Sequence, residues 1–73
     1  MRIKINLDTQ SAATRLVELA SDLNEPVYLT DGAHIRVSAK SLLGATYAAF
    51  DFSEIWLESK QDHYTLFKDF VAE

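Results

Sequence analysis

The sequence predicts an α+β fold: an open-faced two-layer sandwich with an antiparallel sheet, its elements running β-α-β-β-α-β-α. Three observations carry this. Four short runs alternate apolar with polar residues, the period of a half-buried strand. The intervening segments repeat apolar residues every three or four positions, the stripe of a helix packed on one side. With 73 residues the chain can build one core, so every helix has to cover the same sheet. No repeat, linker or low-complexity tract interrupts it, and residues 1–73 read as one domain.

The first strand is Arg2 to Leu7, with Ile3, Ile5 and Leu7 on one face and Arg2, Lys4 and Asn6 on the other. Asp8, Thr9 and Ser11 then offer capping side chains. Ala13, Leu16, Val17, Ala20 and Leu23 form the stripe of a helix from about Gln10 to Leu23. Asn24-Glu25-Pro26 stops it, because proline has no N–H and disfavours a helical residue before it. Val27 and Leu29 alternate with Tyr28 and Thr30, and Ile35 and Val37 with His34 and Arg36. Asp31-Gly32 lies between these two strands and signals a hairpin. A short helix from Leu42 to Phe50 follows, predicted to turn Leu42, Leu43, Tyr47 and Phe50 inward, with Gly44 weakening it by ~1 kcal/mol relative to alanine. Phe52 to Ser59 is the fourth strand, and Asp62 caps a last helix whose stripe is Leu66, Phe67, Phe70 and Val71.

Composition excludes several classes of function. Eleven acidic residues against seven basic give a net charge of −4, which opposes nucleic acid, since that affinity rests on neutralising phosphates. No apolar run approaches the ~20 residues that span a bilayer, and there is neither a leader pattern nor a cysteine, so the expected location is cytoplasmic, without membrane contact. His34 and His63, the two imidazoles, have no metal-ligand spacing and are expected on the surface. Asp51, Glu54, Glu58 and Asp62 are expected to be solvated. An open-faced sandwich of this size offers little enclosure for acid–base chemistry, so neither an enzyme, a metal nor a cofactor is expected.

The run Val37-Ser38-Ala39-Lys40-Ser41-Leu42-Leu43-Gly44 passes from strand pattern into a helix start, where Ser38 or Ser41 can cap the unpaired N–H groups. A phosphate there would be stabilised by the same donors, with the charge of Lys40 beside it. This run resembles the segment of the histidine-containing phosphocarrier protein, HPr, that reads approximately Val-Asn-Ala-Lys-Ser-Ile-Met-Gly and holds that family's regulatory serine. Ala13 to Ser21 is similar to the same family's Ala-Thr-x-Leu-Val-x-x-Ala-Ser, and the spacing between the two segments agrees to about one residue, so the resemblance covers most of the chain. It implies a four-stranded antiparallel sheet in the order 1-4-2-3 with the helices on one face.

The carrier chemistry of that family resides in a Gly-x-His-Ala-Arg-Pro-Ala loop, and here the matching positions are Thr9 for the histidine, Ser11 for the arginine and Ala12 for the proline. A threonine ester is too stable to pass a phosphoryl group on, so no carrier activity is expected. Crh-type members of the family also lack the histidine, keep the serine and dock on a regulator. The resemblance therefore implies a non-catalytic regulatory or binding protein related to the sugar phosphotransferase system. Its regulatory phosphorylation candidate is Ser41, its contact region is Lys40, Ser41 and Tyr47 on the helix they open, and its partner is a regulator or kinase. After Gly44 the run Ala45 to Phe50 departs from the family's docking surface. The alternative is an interaction or oligomerisation domain, a homodimer included, that uses Trp56, Phe52 and Tyr28 as an exposed aromatic patch on the helix-free sheet face.

Overall fold

The computed structural model describes residues 1–72. Its elements are β1 (Arg2–Ile5), α1 (Gln10–Ser21), β2 (Tyr28–Thr30), β3 (Arg36–Ser38), α2 (Leu42–Asp51), β4 (Ile55–Glu58) and α3 (Tyr64–Phe67), the last running into a 3-10 turn at Lys68–Phe70. The four strands form one antiparallel sheet in the order β1-β4-β2-β3. Along its buried face Ile3 pairs with Leu57, Ile5 with Ile55, and Leu29 with both Leu57 and Val37. The apolar half of each alternating run thus meets in one layer, as a period of two requires. Backbone bonds from Asn6 N to the Phe70 carbonyl (2.8 Å) and from Ala72 N to the Lys4 carbonyl (2.9 Å) place the C-terminal residues along the outer edge of β1.

The core joins this layer to α1 through Ala13, Leu16 and Ala20, to α2 through Ala45 and Ala48, and to the C-terminal segment through Phe67 and Phe70. Thr9 caps α1, its hydroxyl accepting from Ala12 N at 3.0 Å. The helix ends at Ser21, two residues short of the expected Leu23, and the chain descends through Pro26 into β2. The β2–β3 connection is a wider loop than a two-residue turn. The Asp31 carboxylate accepts from the N–H groups of Ala33, His34 and Ile35, and Gly32 takes a φ of +87°, a region only glycine enters freely. These N–H groups hold the Asp31 carboxyl below its ordinary value against the opposing effect of partial burial.

Two expectations about burial are corrected here. Leu42, Leu43, Tyr47 and Phe50 were expected inside α2, yet all four are exposed, Leu43 at 81% and Phe50 at 78%. The buried side of that helix is instead made of Ala45 and Ala48. Small residues let α2 lie close to its neighbours. A Cβ added at Gly44 would meet the Ser38 carbonyl at 3.1 Å and Val37 Cβ at 3.3 Å, a separation with no room for a leucine. In the last helix Phe67 and Phe70 are buried as expected, while Leu66 is exposed because the helix is one turn long and tightens at Lys68.

Candidate functional site

Ser41, not Ser38, opens α2. Its backbone is extended and its hydroxyl accepts from Gly44 N at 3.1 Å, whereas the Ser38 hydroxyl accepts from Lys40 N at the end of β3. Lys40 does not stand over this helix start as expected. Its ammonium donates to the Leu23 carbonyl at 2.6 Å, just beyond the C-terminal end of α1, where carbonyls lack helical partners and favour a cation.

From Ser41 the exposed side of α2 carries Leu43, Tyr47 and Phe50, four and three residues apart, with Leu42 beside them. Residues at this spacing line one side of a helix, so they make a continuous apolar stripe facing water. The stripe reaches the start of α1. Gln10 Nε2 donates to Thr46 Oγ1 at 3.4 Å, and a shallow hollow of about 290 Å³ is lined by Thr9 and Gln10 on one side and Ala49 and Phe50 on the other. Thr9, the residue at the position that the resemblance gives to the carrier histidine, therefore sits beside the aromatic end of the stripe. His34 lies in the β2–β3 loop and His63 at the start of α3. Strand alternation and helical periodicity both missed the stripe, because α2 is apolar all round and its pattern does not say which side faces the core.

Phe52 is not on the sheet face that was expected to hold it with Trp56. It is the C-cap of α2, packs against the core and meets Tyr47 edge-on with ring centroids 5.6 Å apart. Strand pairing starts only at Ile55, so strand alternation does not extend back to Phe52. Trp56 and Tyr28 do share the outer face, but each ring lies under a guanidinium. Arg2 sits 4.6 Å from the Trp56 ring centre and Arg36 3.8 Å from that of Tyr28. The Trp56 indole also donates to Glu54 at 3.3 Å and borders the Gly32 backbone. Arg2 pairs with Glu58 at 3.2 Å and Lys4 with Glu54 at 3.6 Å, so those two carboxylates are engaged as well as solvated.

His63 was expected on the surface but has a side chain only 17% exposed, and its Nε2 lies 3.3 Å from Glu25 Oε2. The two atoms are buried against each other without completing a hydrogen bond. Partial burial raises the Glu25 carboxyl. The N–H groups of Gln61 and Lys60 and the imidazole lower it, and the net effect holds it below its ordinary value of 4.5. A carboxyl lowered on folding stabilises the native state above its unfolded pKa, and that contribution is lost as pH falls through the folded value. Glu25→Gln is accordingly expected to melt below the natural protein above about pH 4.5, with the difference closing on acidification below that point. Thermal melts across that range check it; a gap that widens with acid contradicts this role for Glu25.

Among the described residues no group of three or more His, Cys, Asp or Glu side chains is placed to hold a metal, and no helix is long and apolar enough to cross a membrane. Fold and surface together define a small α+β open-sheet protein whose most exposed apolar feature is one helix opened by a serine cap. No protein-family model matches the chain, and neither a curated protein nor a solved structure matches it.

Proposed function

We propose that this is a non-catalytic, HPr-like regulatory or binding protein related to the phosphotransferase system, acting in the cytoplasm, with α2 as its docking surface and Ser41 as a regulatory phosphorylation site. The observation that carries the reading is the exposed stripe Leu43, Tyr47 and Phe50 beginning one turn from the Ser41 hydroxyl. A contiguous apolar patch on so small a protein marks a contact surface. The strand order β1-β4-β2-β3 is the order the resemblance implies and supports it further. A phosphoserine at the N-cap would set negative charge against the free N–H groups and the positive end of α2, next to the partner-facing leucines. Carrier activity is not part of this function, because Thr9 stands where a labile phospho-imidazole is needed.

The general phosphotransferase enzyme with labelled phosphoenolpyruvate is expected to leave the protein unlabelled; label on His34 or His63 contradicts the assignment. HPr kinase with ATP is expected to label Ser41, and an unlabelled serine removes the regulatory role. An alternative interaction domain using the sheet face is separated by comparing Trp56→Ala with the double variant Leu43→Glu, Phe50→Glu in affinity capture and light scattering. The docking role of α2 requires that the double variant alone lose its partner.

A further inference from the structure

The outer sheet face gathers two cross-strand rows, Arg2-Glu58-Tyr28-Ser38 and Lys4-Trp56-Thr30-Arg36. At diagonal corners two arginines each lean onto the aromatic ring of the other row, Arg2 on Trp56 and Arg36 on Tyr28. A guanidinium stacked flat on a ring keeps its N–H edges in the ring's plane, free to take a carboxylate in a two-pronged contact. Arg2 brings one point of that edge, its Nε, to 3.2 Å from Glu58 Oε2. Arg36 is stacked in the same manner, but among the described residues it has neither a carboxylate partner nor a hydrogen-bond acceptor.

Between the two arginines runs a groove of about 520 Å³, with Pro26 and Tyr28 in its lining and Lys60 at its rim. Three cations face it, against one carboxylate that Arg2 already neutralises. This is the reverse of a chain whose net charge is −4.

We infer that this groove is a second binding site, independent of the α2 surface, and that it takes an acidic peptide segment of a partner protein whose carboxylate pairs with Arg36. Charge complementarity selects the occupant. The cations would attract and orient glutamate or aspartate side chains, and the apolar parts of Pro26 and Tyr28 would seat an intervening aliphatic residue. The Arg2–Glu58 pair shows, within the molecule, that an arginine lying over a ring on this face still pairs with a carboxylate, as the incoming one would on Arg36.

Trp56 is the single tryptophan and lies under Arg2, which lines the groove, so an occupant that draws on Arg2 changes its fluorescence. The probe is a short capped peptide of alternating glutamate and leucine, titrated into the full chain, with the glutamine-for-glutamate peptide as control. The expected result is a saturable fluorescence change with the acidic peptide alone, weakened by added salt. Arg36→Gln is expected to lower the affinity by roughly tenfold or more, since it removes a charged two-pronged contact. Lys68→Gln removes the same charge from the C-terminal 3-10 turn and is expected to change it far less. Both residues are exposed, so circular dichroism should be unaltered. A flat titration, equal response to the neutral peptide, or equal losses from Arg36→Gln and Lys68→Gln overturns the inference.

Discussion

Replacing Phe67 by alanine is expected to leave a large part of the population unfolded at room temperature, whereas the same replacement at Phe50 should barely move the melting point. Phe67 has no exposed surface and lies in the core cluster where the C-terminal segment joins α1 and the sheet. Truncating such a ring removes its transfer free energy and leaves a cavity, together about 3–5 kcal/mol. At ~0.05–0.15 kcal/mol per residue, a domain this small has little more than that to lose. A fall in melting temperature of about 15 °C or more follows from the ~4–8 °C per kcal/mol typical at this size. Phe50 is 78% exposed, so its loss should stay within about 0.5 kcal/mol. Two thermal melts test the pair. Comparable destabilisation by both variants contradicts the placement of α2 with its alanines inward.

Ser41→Ala is the second substitution with a large expected effect, at ~1 kcal/mol within a range of about 0.5–2, or several degrees in the melting temperature. The hydroxyl accepts from Gly44 N, and α2 has no acidic residue in its first turn to replace it. Ser41→Asp keeps an acceptor at the cap and adds a charge that the helix dipole favours, so it should retain most of the stability. Ser38→Ala should cost less, because that hydroxyl bonds only Lys40 N in the loop ahead of the helix. Denaturant melts of the three variants rank them, and an equal cost at both serines contradicts Ser41 as the cap. The ranking also separates the structural role of Ser41 from a regulatory one. Alanine would change both stability and partner binding, while aspartate would change binding alone.

Much of the architecture was legible because apolar residues alternate with mostly polar ones along the strands. Ile3, Ile5, Ile55 and Leu57 alternate with Arg2, Lys4, Trp56 and Glu58 along the strands, and period two assigns the two sets to opposite sides of the sheet. The α1 stripe was equally plain, since Ala13, Leu16 and Ala20 share that helix with Gln10, Arg15 and Glu18. The candidate site was readable as a helix start, where Ser38 or Ser41 before an apolar run marks a cap, and the structure chose Ser41. Its surroundings were not readable. Lys40 reaches back to a carbonyl that is distant in sequence, and Phe52 lies just short of the residue where strand pairing starts. The Glu25–His63 contact joins residues far apart in the chain, and no local pattern announces it.

The sequence by itself determined the number and order of the elements, the antiparallel sheet and its buried side, and a serine-capped helix start between Ser38 and Leu42; packing made Ser41 the cap. Tertiary structure decided which side of α2 faces water. That helix is apolar all round, and only its close approach to Val37 and Ser38 selects alanine for the inside and turns Leu43, Tyr47 and Phe50 outward. It also decided that the sheet's outer aromatics lie beneath arginines. Local periodicity reports how a segment alternates, whereas contact partners are set by how closely two backbones can approach, and that distance exists only once the layers have packed.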